Sequence, residues 1–308
     1  MNTKIREINK LNKVLVIGGS GFLGRHVVSE LMNRGIEVHA IEHHTPLPGL
    51  PGLDIISGRI SSVDRKLIRS LKPDTIFHLA RPRFPRLRKA GRGLAARWAA
   101  IQNSHLVREI EKSGHTAGLI FASGSLMYGS SATPSDEDTP MRPFSFARQY
   151  YPGEIPILVA LKSGRIPVRI IRMPWLLGKG SWFEWFYLNN MREHQAIPLF
   201  GDGKNLMEII DMFDAAKLVL KFADDISASG ILNMVSSRAV TQLEFADTLA
   251  RVSGFPVKDH REIFRNPLEK ETLEAFTSSI ELRTKYPDLS AGFQYTSLEE
   301  SLKKIITA

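Results

Sequence analysis

A glycine-rich turn near the start of the chain places the strongest constraint on its fold. The apolar run Val14 to Ile17 leads directly into the sequence GGSGFLG, residues 18–24. The segment after this turn has helical apolar spacing, and its stripe is formed by Val27, Val28, Leu31 and Met32. The order therefore predicts a buried strand, a tight turn and a helix.

The three spaced glycines of this turn have separate uses. Gly18 permits the tight turn, Gly21 lets the backbone approach a pyrophosphate, and Gly24 allows close packing of helix on strand. The helix N-terminus offers free N–H groups to phosphate oxygens. A glycine pattern alone also fits an ordinary tight turn, but the flanking strand and helix favour a dinucleotide. The predicted loop contacts to it are Gly18, Ser20, Gly21, Phe22, Leu23 and Gly24.

Strands and helices alternate along the next 150 residues. We predict strands at 38–41, 54–56, 75–80, 119–122 and 168–172, and helices at 61–71 (capped by Ser61), 94–112 and 154–162. This alternation predicts an α/β fold with a doubly wound parallel sheet. We expect residues 1–173 to form mainly the nucleotide-binding domain. Residues 174–308, with helices at 213–225 and 242–253, would form mainly a smaller, mixed α/β substrate lobe.

Composition excludes several classes of protein. The 308 residues contain no cysteine, so disulfides, thiolate metal sites and a cysteine nucleophile are excluded. We expect no metal site. The charged start lacks the apolar core of a signal peptide, and no run of 18 apolar residues predicts a membrane span. We therefore expect a cytoplasmic protein that does not contact a membrane.

The net charge of +9 is concentrated in one stretch. Residues Arg81 to Arg97 hold seven basic side chains and no acidic one. Such a patch attracts anions, which predicts an acidic ligand or an acidic carrier partner. A solvated helix face is the plainer alternative. Nucleic acid is not expected, because no nucleic-acid motif accompanies the patch.

An acidic residue follows the second predicted strand. Glu42 lies 18 residues after Gly24, where a carboxylate can accept hydrogen bonds from the adenosine ribose and repel a 2′-phosphate. This favours NAD over NADP as the cofactor. Glu42 is followed by His43 and His44, so a protonated histidine, or Arg59 close by, would make NADP tolerable.

Several further motifs, taken with the glycine turn, resemble the extended short-chain dehydrogenase/reductases of the NAD-dependent epimerase/dehydratase type. The matching segments are DTIFHLA (74–80), FASGSLMYG (121–129), EDTP (137–140), Arg172-Met173-Pro174 with Gly178, and GDG (201–203) with Asp214. The resemblance implies a Rossmann domain, NAD or NADP, a small-molecule substrate and a homodimer formed through two long helices. It extends the implied cofactor contacts to Glu42, Arg59, Ile60, Leu79, Ala80, Arg81, Ala122, Ser123, Tyr150 and Pro174.

The family's catalytic Ser/Thr, Tyr and Lys are not matched. Gly124 stands at the hydroxyl position, between Ser123 and Ser125, and no tyrosine is followed by lysine four residues later. Aligning Glu154 with the family's helix glutamate, and Arg172 with its strand arginine, puts Phe146 at the tyrosine and Tyr150 at the lysine. A shift of four residues would instead make Tyr150 the tyrosine and Glu154 the lysine, and a carboxylate there would raise the tyrosine pKa. Ser123 and Tyr150 are the candidate catalytic donors.

The substrate lobe also departs from the family pattern. Met207 stands where an arginine often grips a nucleotide-sugar diphosphate, and methionine suits an apolar substrate or a core position. The aromatic side chains from Trp175 to Phe186 would line an aromatic pocket or form ordinary core. We therefore hypothesise an NAD(P)H-dependent ketoreductase that acts on a bulky activated carbonyl, aromatic or polyketide-like. A sugar-nucleotide epimerase/dehydratase with a rearranged site, and a non-catalytic NAD(P)-binding module, are the alternatives.

Overall fold

A seven-stranded sheet organises the computed structural model, which describes residues 11–47, 49–82, 88–224 and 229–307. Its strands are β1 Lys13–Ile17, β2 Glu37–Glu42, β3 Asp54–Ser57, β4 Thr75–His78, β5 Gly118–Gly124, β6 Val168–Met173 and β11 Gly230–Asn233, in the order β11-β6-β5-β4-β1-β2-β3. The strands pair in parallel from β3 through β2, β1 and β4 to β5. The predicted doubly wound α/β fold is confirmed.

The strand order reverses at β1, which lies between β2 and β4. Val16 of β1 is in register with Ala40 on one side and Phe77 on the other. In sheets of this kind, ligands bind outside the carboxyl ends of the strands at such a reversal. The glycine turn follows β1 at this point.

The helices are α1 Gly24–Asn33, α2 Arg65–Leu71, α3 Arg88–Ser113, α4 Ser145–Arg148, α5 Tyr151–Ser163, α6 Asn189–His194, α7 Met212–Ala223, α8 Gln242–Ser253, α9 His260–Ile263, α10 Lys270–Thr277 and α11 Leu298–Thr307. The helix predicted from Ser61 was wrong at its start. Residues Ile60–Ser62 form a 3-10 turn, and the Asp64 carboxylate accepts the Leu67 N–H at 2.8 Å as the true N-cap. Along the described residues, no helix has the length and apolarity to cross a bilayer.

The residues group into two compact units that alternate along the chain. The first unit contains residues 1–122, 152–171 and 216–231. In its core, Leu15 and Ile17 of β1 pack with Ile68 of α2, Leu106 of α3 and Ile157 of α5, all at most 1% exposed. The division at residue 173 stays a prediction.

The second unit contains residues 123–151, 172–215 and 232–308. Its short strands are β7 Trp175–Leu177, β8 Ile197–Leu199, β9 Leu206–Met207, β10 Ile209–Asp211, β12 Val240–Thr241 and β13 Val257–Asp259. The core is rich in aromatic rings, among them Phe183, Tyr187, Phe200, Phe245 and Phe276. Met207 of β9 is buried, 1% exposed, and is in register with Val240 of β12.

Candidate functional site

The glycine turn forms a cradle that only glycine can build. Gly18 has a φ of +89°, and the Gly21 N–H donates to the Gly18 carbonyl at 3.0 Å. A Cβ on Gly24 would lie 2.0 Å from the Gly18 oxygen, which is a direct clash with backbone. The start of α1 therefore lies against the turn, which is where a helix N-terminus favours a phosphate.

The turn also lies against the end of β4. A Cβ on Gly18 would come within 2.6 Å of the Ala80 nitrogen and 2.9 Å of the Leu79 carbonyl carbon. The Leu79 N–H donates to the Ile17 carbonyl at 2.8 Å, which fixes this approach. The structure thus brings together the predicted cofactor residues of the turn with Leu79 and Ala80.

The ends of β2 and β3 meet beside the turn. The Gly58 N–H donates to the Glu42 carbonyl at 2.8 Å, so Arg59 and Ile60 start their 3-10 turn next to the end of β2. Glu42 is half-buried and Arg59 is exposed. The glycine cradle and this carboxylate fit a dinucleotide, because they offer close backbone for a pyrophosphate and an acceptor for ribose hydroxyls.

A buried histidine next to these residues was not singled out from the sequence. His78, the last residue of β4, is 1% exposed, and its Nε2 lies 2.7 Å from Asn103 Oδ1. The Asn103 amide donates in turn to the Gly153 carbonyl at 2.6 Å. Burial lowers the pKa of His78 to about 4, so the imidazole is neutral at physiological pH. This chain of hydrogen bonds ties β4 to α3 and α5 within the first unit.

In the second unit, Ser123 is held by a buried arginine. The Arg172 guanidinium, 0% exposed, donates from Nη1 to Ser123 Oγ at 2.5 Å. Guanidinium has no acceptor atom, so the serine oxygen accepts this bond. Ser123 is itself 7% exposed. Side chains alternate along β5, so Ser123 and Gly124 face opposite sides of the strand.

The same arginine stands over a tyrosine. The Arg172 Cζ lies 5.7 Å from the centre of the Tyr128 ring, and the Tyr128 hydroxyl donates to Asn233 Oδ1 at 2.7 Å. Burial raises the pKa of Tyr128 to about 12. Tyr128 is therefore a poor acid–base group at neutral pH and serves to hold the site together.

The three positions aligned with the family's catalytic residues all lie in the second unit. Gly124 is extended, and a Cβ there would meet nothing nearer than the Met173 oxygen at 3.9 Å. Phe146 lies in α4 and packs edge-on against Tyr150, with 5.6 Å between ring centres. Tyr150 is half-buried, in the turn between α4 and α5. No steric constraint at Gly124 explains why the hydroxyl is missing there.

An aromatic side chain connects Tyr150 to the core of its unit. Trp175, which follows the buried Pro174, packs against the cluster that contains Tyr150. On its other side it lies 5.1 Å from Trp182 and stacks on Phe276 at 5.3 Å between centres. Phe183 is fully buried, Phe186 is half-buried, and Trp185 is 66% exposed. Except for Trp185, the aromatic side chains predicted to line a pocket or form core pack in the core of the second unit.

The predicted basic patch lies largely outside what the structure describes: residues 83–87 are not described, nor are the side chains of Arg88, Lys89 and Arg92. Arg81 is exposed and lies three residues after the end of β4. Within the described ranges, no group of three His, Asp or Glu side chains could hold a metal ion.

Several curated relatives match about a quarter of this chain. A 3-beta-hydroxysteroid dehydrogenase from Mycolicibacterium neoaurum is 41% identical over 71 residues, which are 23% of this chain and 19% of the relative. The chain therefore aligns with about a fifth of that relative's length.

Solved structures match nearly the whole chain. DesIV, a dTDP-glucose 4,6-dehydratase from Streptomyces venezuelae with NAD bound, aligns with a TM-score of 0.78, 20% identity and 96% coverage of each chain. MoeE5 in complex with UDP-glucuronic acid and NAD aligns with a TM-score of 0.74, 23% identity and coverage of 96% of this chain and 98% of its own. At these identities the likeness establishes the fold alone.

A family model described as the NAD dependent epimerase/dehydratase family matches residues 14–234. That range begins in β1 and ends just beyond β11, so it includes the glycine turn and all seven strands of the sheet. The chain therefore belongs to the NAD-dependent epimerase/dehydratase family, whose members are NAD(P)-dependent enzymes.

Proposed function

We propose that the chain is an NAD(P)H-dependent ketoreductase whose substrate is a bulky, activated carbonyl compound. The observation that carries this proposal is an intact glycine cradle in a chain whose aligned catalytic positions hold Gly124, Phe146 and Tyr150. Bound NAD(P)H would supply the hydride. A ketone that is conjugated, quinonoid or internally hydrogen-bonded carries part of its own activation and needs less help from acid–base side chains.

Proton delivery to the carbonyl oxygen falls to the remaining hydroxyl groups. Tyr150 is our first choice, because it is half-buried and shares its cluster with Trp175. Ser123 is the second choice. Its oxygen accepts the hydrogen bond from Arg172, so the serine hydroxyl does not donate its proton to the guanidinium. The carbonyl oxygen takes one proton, the carbonyl carbon takes the hydride, and the donor regains its proton from water.

The aromatic cluster of the second unit supports a flat apolar substrate. Trp175 packs against the cluster that contains Tyr150 and also contacts the rings of Trp182 and Phe276. The steroid dehydrogenase relative also favours a flat apolar substrate, since its name specifies a polycyclic one.

A panel of ketones tests the proposal. We expect oxidation of NADH or NADPH with quinonoid and hydroxylated aromatic ketones, and little with simple cyclohexanones. Tyr150→Phe should slow the reaction by about 10²-fold or more if the phenol donates the proton. Ser123→Ala tests the second donor, and Tyr286→Phe, at a 46% exposed tyrosine, is the matched control. Rates unaffected by both Tyr150→Phe and Ser123→Ala would remove these residues as donors.

Restoring the family's side chains gives a sharper test. The triple variant Gly124→Ser/Phe146→Tyr/Tyr150→Lys places a hydroxyl where there is room for it and a Tyr-Lys pair four residues apart. We expect reduction of unactivated ketones to rise by about 10²–10⁴-fold, the usual contribution of a positioned acid–base group. The control replaces Tyr150 by Met in the same background. An unchanged rate in a folded, NADH-binding variant would contradict our alignment of these positions.

A sugar-nucleotide epimerase or dehydratase is the second candidate. Two solved neighbours favour it, because DesIV is a dTDP-glucose 4,6-dehydratase and MoeE5 binds UDP-glucuronic acid. The buried Met207 offers no charge for a diphosphate, and Lys204 is the exposed alternative, 3.8 Å from Asp202. Turnover of a nucleotide sugar by the purified chain would establish this function in place of the ketoreductase. No turnover with either class would favour the non-catalytic module.

We also propose that the chain forms a homodimer through α3 and α5. Leu94, Trp98 and Ile101 of α3, spaced i, i+4, i+7, are 45–58% exposed, as are Ile155 and Val159 of α5 at 43% and 56%. Large apolar side chains grouped in this way favour an interface. We expect Trp98→Glu to give monomers in analytical ultracentrifugation, while Trp185→Glu, at the more exposed tryptophan, leaves the dimer intact. A monomeric wild-type chain at micromolar concentration would refute the interface.

Two expectations from the sequence stay predictions. An acidic ligand or carrier at Arg81 to Arg97 can be tested by charge reversal of Arg92 and Arg97 in a binding assay. A cytoplasmic location can be tested by cell fractionation.

A further inference from the structure

Two buried hydrogen-bond donors of the second unit lie on rings that touch. Trp182 Nε1 and the Tyr187 hydroxyl are both buried, and neither has a hydrogen-bond partner among the described residues. The two rings meet edge-on with 5.7 Å between their centres, and both contact Phe245, at 5.6 Å and 5.0 Å. Buried donors in folded proteins are nearly always paired, so two unpaired donors on touching rings call for a functional explanation.

A widened helical turn brings these two rings together. Residues 182–194 form one continuous helix, but Glu184–Leu188 is a π-helix, in which the Asn189 N–H donates to the Glu184 carbonyl five residues earlier. Trp182 and Tyr187 are also five residues apart. In an α-helix, the directions of two side chains at this spacing differ by about 140°, whereas the wider turn of a π-helix returns them to one face. The π-helix is therefore the element that pairs the two donors.

The sequence does not force this widened turn. Residues 182–194 contain neither proline nor glycine, the residues that usually distort helices. Side chains support the helix instead: the buried Asn190 donates from Nδ2 to the Phe186 carbonyl at 3.0 Å. At the start of the helix, the Ser181 hydroxyl accepts the Phe183 N–H at 3.1 Å. Because π-helices occur frequently at functional sites, the turn marks this part of the second unit as a candidate ligand site.

We propose that Trp182 and Tyr187 bind an acceptor oxygen of the substrate, and that this substrate is a flat, uncharged compound with a second oxygen besides the reacting carbonyl. An indole N–H can only donate. Burial raises the pKa of Tyr187 far above its usual range, so its hydroxyl keeps its proton and can donate as well. The pair therefore suits a carbonyl oxygen, and the phenyl rings around it favour an uncharged ligand. The inference rests on the proposed function, whose substrate class it narrows.

The position of Trp182 relates this pair to the candidate proton donor. The Trp182 ring centre lies 5.1 Å from that of Trp175, and Trp175 packs against the cluster that contains Tyr150. A flat ligand that lies along Trp175 therefore has one end toward Tyr150 and the other toward Trp182. The reacting carbonyl belongs at the first end and the second oxygen at the other.

The π-helix also gives the ligand a way in. Tyr187 is 0% exposed, whereas Trp185 of the same turn is 66% exposed and Trp182 and Phe186 are half-buried. A return to α-helical hydrogen bonding would turn Tyr187 away from Trp182 and open the contact between their rings. Ligand binding then favours the π-helical arrangement, in which both donors lie on the same face of the helix.

Calorimetric titration of the full chain, without cofactor, tests the site with 1,4-naphthoquinone, which has two opposed carbonyl groups, and 1-tetralone, which has one. We expect the quinone to bind on the order of tenfold or more tightly, because it pairs buried donors. Trp182→Phe and Tyr187→Phe keep a ring, remove the donor and should each reduce this preference. Trp185→Phe, at the exposed indole of the same helix, and Tyr286→Phe are the matched controls. Equal affinity of the wild type for the two ketones, no binding of the quinone, or a preference that survives in both variants would overturn the proposal.

Further measurements separate the site from a structural role and from the proposed function. Tyr187→Phe should bind the quinone more weakly yet resist urea at least as well as the wild type, because the hydroxyl that it removes has no partner among the described residues. With NADH or NADPH, the variant should raise KM for the quinone and leave kcat nearly unchanged. If the quinone binds through these donors but is not reduced, the ketoreductase proposal fails and the binding site stands. If the wild type and both variants reduce it with the same KM, the binding site fails and the ketoreductase stands.

Discussion

Two buried tyrosines of the second unit differ in whether the hydroxyl has a partner. Tyr128 is 4% exposed, and its hydroxyl donates to Asn233 Oδ1 at 2.7 Å. Tyr187 is 0% exposed within the aromatic core, and its hydroxyl has no hydrogen-bond partner among the described residues. Burial without a partner raises the pKa of Tyr187 far above its usual range. Replacement by phenylalanine should therefore have opposite effects at the two positions.

The magnitudes follow from the cost of an unpaired polar group. A buried donor without a partner costs about 1–3 kcal/mol, so Tyr187→Phe should raise the free energy of unfolding by about 1–2 kcal/mol. Tyr128→Phe removes a hydrogen bond and leaves the Asn233 oxygen one donor short, which should lower that free energy by about 1–3 kcal/mol. The midpoint of thermal unfolding should shift by about 2–4 °C for each kcal/mol.

Urea unfolding followed by circular dichroism, at one pH and without added cofactor, measures both changes. Tyr286→Phe, at an exposed tyrosine, should stay within about 0.5 kcal/mol of the wild type. If Tyr187→Phe destabilises the chain as much as Tyr128→Phe does, the buried hydroxyl has a partner in solution and the reasoning is refuted.

Two further predictions concern the first unit. Gly24→Ala should weaken NADH binding more than tenfold, on the order of 1.4 kcal/mol, because its Cβ would clash with the Gly18 oxygen. Gly93→Ala, in open space on α3, should bind NADH normally in a fluorescence titration. If both variants lose NADH affinity equally, the glycine turn is not the cofactor site. His78 stays neutral in the fold down to about pH 4, whereas an unfolded histidine binds a proton below about pH 6.5. The free energy of unfolding should therefore fall by about 3 kcal/mol as the pH drops from about 6.5 to about 4. In urea unfolding, His78→Asn should lose this dependence on pH. An unchanged pH dependence in the variant would contradict a buried neutral imidazole.

The parts of the fold that local sequence determines were predictable. The glycine turn, its flanking strand and helix, and the helix at 242–253 follow from periodicity and glycine placement over neighbouring residues. The start of the helix after β3 was misplaced because both a serine and an aspartate can cap a helix. The structure uses Asp64, whose carboxylate accepts the N–H of Leu67 three residues later.

The parts of the site that depend on distant contacts were not predictable. The Glu42 carboxylate accepts the Leu47 N–H while the Leu47 side chain packs on Gly19, and His78 meets Asn103 across 25 residues of chain. Neither contact leaves a periodic pattern. The motifs that resemble the family include Arg172, but they did not indicate that its guanidinium holds Ser123. This contact depends on β5 and β6 being neighbours in the sheet.

We propose that hydride transfer persists here without the family's usual proton-handling side chains, and that it therefore favours an activated carbonyl. Single-turnover mixing of the NADH-loaded or NADPH-loaded chain with a quinonoid ketone, or with a nucleotide-linked 4-ketosugar, tests it most directly through the nicotinamide absorbance. We predict rapid oxidation of the nucleotide by the quinonoid ketone and none by the ketosugar. Oxidation by the ketosugar alone would contradict the account.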